Sequence, residues 1–348
     1  MNMPKINILF LAEELRIGGA ETYFYSLENN IDRKKYNFYS MAVDGSEKRK
    51  LSHPEKYYEY TFSLFDRYKK AKAVCREKKI EIVHVNSLRL AFVAALLKKT
   101  ENIKVIYTKH NETVLEKFCP RLYAMFLNKS IDKVNVICEA ERNSLEKTGV
   151  KRQLLTVVYN GIAIENFPFT PEKKNIDHFN IGILARVDKV KNHRIFLQIA
   201  ENLHVLRPET KFYIGGDGPD KSEIEKIISE KNMKSYVYME GFVNASDFLS
   251  RMDIIMLISQ REVFPMSIIE AMSAGVTVVS KNLGGISELV NDSTGYLIEG
   301  ENVSDYINVL IESMDSDETE KKRYARKRVE ELFTIKKMVT DIEAMYQR

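Results

Sequence analysis

The chain has 348 residues, 44% of them hydrophobic, which is enough to bury a sizeable core and suits two domains better than one. Its cysteines, Cys75, Cys119 and Cys138, lie far apart and fit neither a metal-ligand spacing nor an even disulfide set, so a reduced, cytoplasmic protein is expected. The net charge of +4 is uneven: residues 1–165 hold 29 Lys+Arg against 20 Asp+Glu, or +9, and the rest hold 24 against 29, or −5.

From the start, "MNMPKINILFLAEEL" sets one lysine before an apolar run that ends at Glu13 and Glu14 without a small-residue cleavage site, which predicts a first buried strand rather than a signal peptide. No stretch approaches the roughly 18 apolar residues that span a bilayer. Strand candidates follow in order: "IEIVHVNS", "VIYTKH", "VNVIC" and "LLTVVYN", then "FNIGILA", "KFYIGG", "VYMEGF", "IIMLIS" and "VTVVS". Runs this apolar belong to parallel strands covered on both faces, and their alternation with helical stretches predicts two doubly wound α/β halves. The polar, proline-bearing "NFPFTPEKKNIDHFN" separates the halves, with a linker near 168–177. The expected domains are 1–167 and 168–334, with a helix at about 335–348 packing back on the first.

In such sheets ligands sit beyond the carboxyl ends of the strands. After the first strand comes "RIGGAE", where Gly18 and Gly19 let backbone approach a ligand at a helix start. Another glycine turn, "GGDGP", holds Gly215, Gly216 and Gly218, and alone is a weak dinucleotide signal. "RVDKVKNH" puts Arg186 in a loop and Lys191 at a helix mouth, a planar fork and a point charge suited to a diphosphate. In "REVFPMSIIEAMSAG", Pro265 is predicted at the first helical position, Glu262 in the loop and Glu270 in the second turn. Amides around Val263, Phe264, Met266 and Ser267 would carry the positive end of the helix dipole. A carboxylate on each side makes the stretch a polyhydroxyl or anion site.

"EVFPMSIIE" with "AMSAG" resembles the E-x7-E signature of the retaining glycosyltransferases of family 4. "GGAE", "KHN", "VYNGI", "ARVDKVKNH", "GGDGP", "EGFV" and "NLGGISELV" also occur in that family's order over nearly the whole chain. The resemblance implies the GT-B fold, two Rossmann-like domains facing a central cleft, and transfer of a hexose or N-acetylhexosamine with retention from a nucleotide-diphosphate sugar, in the first place a UDP-sugar. It implies that Glu262 holds donor-sugar hydroxyls, Glu270 the ribose, Arg186 and Lys191 the diphosphate, that Gly19 lets backbone approach the phosphates, and that Gly18 and Gly216 also bind the donor. Backbone at Gly241 and Phe242 would meet the base, and His110 the donor sugar. Two departures fall on the acceptor side: Asn86 stands where the family often has a second histidine, and Asn160-Gly161 is followed by Ile162 and Ala163 without the usual acidic residue. Asn86 and Asn160 are the acceptor-side candidates. His84 reads as a core histidine.

No cofactor is expected, and no metal: the only D-x-D, Asp315 to Asp317, lies in a charged stretch far from any strand end, and the six histidines lack ligand spacing. Polysaccharide, cell-wall polymer, glycolipid and protein acceptors all stay open. The basic stretches 66–79 and 116–129 suit either an anionic membrane surface, on the inner face of the cell membrane, or a solvated face and a packed helix. No aromatic-basic platform supports nucleic acid. A nucleotide-sugar epimerase of the same fold would not need Arg186, Lys191 and both glutamates. A noncatalytic nucleotide-sugar-binding protein would keep them and lose the acceptor side.

Overall fold

The computed structural model describes residues 4–15, 18–172 and 177–347, so residues 173–176 of the predicted linker and Arg16 and Ile17 of "RIGGAE" lie outside the described residues. The chain forms two compact units, Met1–Gly161 together with Ile335–Arg348, and Ile162–Thr334.

The first unit holds strands β1 (Ile6–Glu14), β2 (Tyr36–Val43), β3 (Tyr57–Glu59), β4 (Ile82–Val85), β5 (Lys104–Lys109), β6 (Lys133–Val136) and β7 (Leu155–Val157), in the order β3-β2-β1-β4-β5-β6-β7. The second holds β8 (Phe179–Leu184), β9 (Thr210–Gly215), β10 (Val237–Gly241), β11 (Ile254–Leu257), β12 (Thr277–Lys281) and β13 (Tyr296–Ile298), in the order β10-β9-β8-β11-β12-β13. Every described pairing is parallel. Parallel neighbours need crossover connections, and the helices between strands supply them while covering both faces.

The run "INILFLA" illustrates the physics. Side chains alternate across a strand, so Leu9 and Leu11 enter one apolar core while Ile8 and Phe10 enter the other. Phe10 packs its ring 5.0 Å from Phe24 and 6.0 Å from Phe38, contacts that add about 1 kcal/mol each to the area they bury. The helix Ile335–Gln347 joins that second core through Met338, Val339, Ile342, Met345 and Tyr346. In the second unit, the amide of Ile162 donates to Phe333 O at 2.9 Å, so that unit's two chain ends meet.

Three strands escape the sequence patterns for a physical reason. β2, "YNFYSMAV", mixes aromatic and polar residues with few Ile or Val, and β3 and β13 are three-residue edge strands. Two helix readings change as well. The stretch 116–129 is two helices, Val114–Phe118 and Pro120–Ser130, because Pro120 lacks the N–H that would continue the first and instead opens the second. Pro265 is the N-cap of helix Met266–Ala274, one residue earlier than predicted, with ψ of 122° keeping it extended. That helix ends at Gly275, whose φ of +75° is the left-handed cap glycine provides most readily. No helix of the described residues is long and apolar enough to cross a membrane.

Candidate functional site

Each sheet reverses its direction of growth beside its first strand, between β1 and β4 and between β8 and β11, and the crevice beyond the carboxyl ends at such a point is where α/β sheets take ligands. In the second unit the loop leaving β8 carries Arg186 and Lys191, and the loop leaving β11 carries Glu262.

Those two loops meet through charge. Lys191 Nζ donates to Glu262 Oε1 at 2.5 Å, and Ser259 Oγ donates to the same oxygen at 2.6 Å. Both side chains of the ion pair are mostly buried, so water screens it weakly. Asp188 organises the loop after β8: its Oδ1 accepts the Lys191 amide at 3.2 Å, and its Oδ2 lies 3.8 Å from Arg186 Nε. Arg186 otherwise stands in solvent and is not brought onto Glu262. Asn192, in the left-handed region at φ +58°, then turns the chain into helix His193–Leu206.

Glycines hold the neighbouring loops close. A Cβ on Gly216 would fall 1.9 Å from Ala185 O, and one on Gly284, at φ +58°, would fall 2.1 Å from Glu262 O. The Gly216 amide donates to Gly241 O at 2.6 Å, bringing two predicted donor-binding glycines together. Gly285 donates to Val263 O at 2.9 Å. Phe242 is exposed, whereas Phe264 is buried with its ring against Phe333. Pro265 is buried and Met266 half-buried. The first-turn amides of helix Met266–Ala274 have no acceptor within the helix.

Glu270 sits in the second turn with no hydrogen bond or ion pair among the described residues, and burial pushes its carboxyl up to about 7. A half-buried carboxyl without a partner is unusual outside a binding site. Ser259, Asp188 and Gly284 were not singled out by sequence reasoning. The signals were a serine closing the strand "IIMLIS", an aspartate three residues before the lysine, and a third Gly-Gly pair.

In the first unit the predicted residues also stand at carboxyl ends. Gly18 caps helix Gly19–Asn30. Asn86, just beyond β4, donates from Nδ2 to Ala20 O at 3.5 Å, while its buried Oδ1 has no partner. His110 follows β5, with its ring 4.9 Å from that of Tyr23 and its buried Nε2 unpartnered. Burial first and Lys109 second lower its pKa to about 4, so the imidazole is neutral at pH 7 and works as a hydrogen-bonding group rather than a cation. Asn160, beyond β7, is buried with Oδ1 unpartnered.

Two buried charge clusters brace this edge and were not foreseen. Lys109, fully buried, pairs with Glu116 at 3.0 Å and with Glu141, fixing the backbone that precedes His110. Arg67, also fully buried, pairs with Glu13 Oε2 at 2.5 Å, while Ser87 Oγ donates to Glu13 Oε1 at 2.6 Å. His84 is a satisfied core residue: Nδ1 bonds Tyr346 Oη at 2.6 Å and Nε2 bonds Thr108 Oγ1 at 2.7 Å.

Of the acidic tripeptide 315–317, Asp315 pairs with Arg207 and Asp317 accepts the Thr319 amide at 3.0 Å. Among the described residues no three His, Cys, Asp or Glu side chains are grouped to hold a metal.

Comparison with known proteins agrees with this architecture. The model of "Glycosyltransferase Family 4" matches residues 17–166 and that of "Glycosyl transferases group 1" matches residues 166–330. The chain is similar, at 23% identity over 97% of its length and 91% of the relative's, to N-acetyl-alpha-D-glucosaminyl L-malate synthase of Bacillus anthracis. It is 23% identical to the O-antigen biosynthesis glycosyltransferase WbnH of Escherichia coli over 89% of the chain and 90% of the relative. It spans only 54% of the phosphatidylinositol N-acetylglucosaminyltransferase gpi3 subunit of Schizosaccharomyces pombe, at 26% identity over 67% of this chain. Among solved structures, HepE of Anabaena in complex with UDP superposes with a TM-score of 0.85 at 20% identity over 98% of this chain and 100% of that one. With both family models matched end to end on two parallel-sheet Rossmann-like domains, the chain belongs to the GT-B glycosyltransferases of the family 4 and group 1 type.

Proposed function

We propose that the chain is a retaining glycosyltransferase that moves a hexose or N-acetylhexosamine from a UDP-sugar to a glycan, lipid-linked or cell-surface polymer acceptor, without a metal ion. The observation that carries this reading is the Lys191–Glu262 pair across the second unit's switch point, with Glu270 eight residues further along the chain and unpartnered among the described residues. Solved neighbours with UDP and UDP-glucose bound support the choice of donor.

In this reading Lys191 exchanges Glu262 for the donor diphosphate, and Arg186 turns in from solvent to the same phosphates. Freed from its lysine, Glu262 accepts hydroxyls of the donor sugar, while Glu270 accepts those of the ribose. Two cations then stabilise the negative charge that grows on the leaving phosphate, the task a divalent ion performs elsewhere. The leaving phosphate draws the acceptor proton on the same face of the sugar, so no protein base is required. Neutral His110 hydrogen-bonds the donor sugar. Three free thiols suit a reducing, cytoplasmic compartment.

A thermal-shift series in EDTA with UDP, GDP, ADP and their sugars tests the donor. A ligand at about 100 times its Kd adds roughly 2.7 kcal/mol of stability. The expected result is a shift with UDP ligands that Glu270→Ala and Arg186→Ala both lose. Turnover in EDTA should match that with magnesium, and Arg186→Ala should lose roughly 10² to 10³ in rate with the fold intact. The product's anomeric coupling reports retention; an inverted product overturns that element alone.

A further inference from the structure

In the first unit, the loops leaving β1, β3 and β4 emerge at the same carboxyl edge of the sheet, around the point where its growth reverses. One buried cation ties them together. Arg67, from helix Leu64–Glu77, donates from Nη1 to Glu13 Oε2 at 2.5 Å and from Nε to Thr61 O at 3.1 Å. Ser87 Oγ, beyond β4, donates to the other oxygen of Glu13 at 2.6 Å. The guanidinium lies over the rings of Tyr60, at 5.1 Å, and Phe62, at 5.9 Å, and Tyr60 Oη donates to Ala12 O. Ser63 caps the helix, and Asp66 Oδ2 accepts the Thr61 amide at 2.8 Å. The loop of residues 60–63 is therefore braced on both sides.

This rigid loop holds an apolar ring in water. Phe62 is 58% exposed, and it shares the Arg67 guanidinium as a neighbour with Glu13. Glu13 keeps 29% of its side chain in solvent, whereas Arg67 is fully buried. An ionised carboxylate offers about four lone-pair sites, and Arg67 and Ser87 occupy two of those on Glu13. An aromatic face close to a carboxylate with lone pairs to spare has a chemical counterpart in a pyranose, which carries C–H bonds on one face and hydroxyls around its rim. A phosphate does not match, because it meets the exposed edge of the carboxylate rather than the buried guanidinium. A lipid chain does not match either, because it strips water from Glu13 and returns no hydrogen bond.

We propose that Glu13 and Phe62 bind the sugar that receives the transferred residue: a neutral pyranose lays its C–H face on the Phe62 ring and donates adjacent hydroxyls to Glu13. Arg67 and Ser87 are positioning residues that hold the carboxylate in one orientation. The proposal names the acceptor's chemical class and so rests on the transferase reading. It sets a neutral sugar unit at this site in place of a polyol phosphate.

The test is saturation-transfer difference NMR on the full chain, with saturating UDP and without it. The probes are methyl pyranosides of glucose, galactose, mannose and N-acetylglucosamine, set against ribitol phosphate and dihexanoyl phosphatidylglycerol. The expected result is a signal from at least one pyranoside, strongest on the C–H protons of one ring face. Binding should weaken roughly threefold or more in Phe62→Ala and be kept in Phe62→Tyr, and it should weaken roughly tenfold or more in Glu13→Gln. Phe62 is exposed, so Phe62→Ala should melt with the parent, and it carries the test even if Glu13→Gln, which leaves buried Arg67 without its anion, fails to fold. No pyranoside signal, a signal indifferent to Phe62→Ala, or a stronger one from the phosphate or the lipid overturns the proposal. The UDP thermal shift separates the two readings: a parent that shifts with UDP and shows no pyranoside signal loses the sugar site alone, and one that binds pyranosides without a UDP shift loses the transferase reading alone.

Discussion

Lys191 and Glu262 hold one another at 2.5 Å, and in the proposed reading the lysine leaves this partner for the donor diphosphate. Replacing Lys191 with Gln leaves Glu262 without its cation and removes the proposed phosphate ligand. Titration calorimetry with UDP-glucose should therefore show at least about a tenfold loss of affinity, since one charged hydrogen bond contributes about 1.5–3 kcal/mol. Gly284 lies against the backbone carbonyl of the same Glu262. Alanine there meets both an unfavourable φ and the Glu262 carbonyl, so Gly284→Ala should weaken nucleotide binding while circular dichroism stays unchanged. Glu270 adds a pH dependence. With its carboxyl near 7, the proposed acceptance of ribose hydroxyls by the carboxylate would be full above that value and fade below it. UDP-glucose affinity should fall as pH drops from about 8 to about 6, and Glu270→Gln should flatten the profile.

At the scale of elements, the sequence disclosed strands that are apolar on both faces and concealed those that are not. "FNIGIL" and "IIML" read clearly because each residue meets a helix on one side or the other. "YNFYSMAV" did not, although its alternate residues are buried, because aromatic and polar residues blur the pattern. The strand-end positions of Arg186, Lys191 and Glu262 were legible from the order of the elements. Their pairing was not, since chain spacing does not say which loops meet over 71 residues. The helix Ile335–Gln347 was expected on the first domain, but the buried bond from Tyr346 to His84 was beyond any local signal. Tyr346→Phe leaves a buried ring nitrogen unsatisfied and should cost about 1–3 kcal/mol of stability in urea titrations.

For the molecule as a whole, buried imidazoles govern the response to acid. Burial lowers His84 to about 3 and both His110 and His193 to about 4, against 6.5 unfolded. The unfolded chain therefore binds protons first, and stability present above pH 6.5 is lost as pH falls through the window between 6.5 and the folded values. Each histidine contributes roughly 2 kcal/mol of that loss by pH 5. Glu270, raised rather than lowered, works the other way and offsets part of it. Melting temperatures should fall from pH 7 to pH 5, most steeply below 6.5; a flat profile would show that these rings are solvated.

The bond between residues 84 and 346 also sets an order of events during synthesis. Everything the first unit needs except the helix Ile335–Gln347 leaves the ribosome early, yet that helix emerges only after the whole second unit. The unit begun first is thus completed after its neighbour, holding an uncovered apolar surface throughout translation of that neighbour. A stop codon within Ile335–Gln347 would damage the first unit and leave the residues of the second intact.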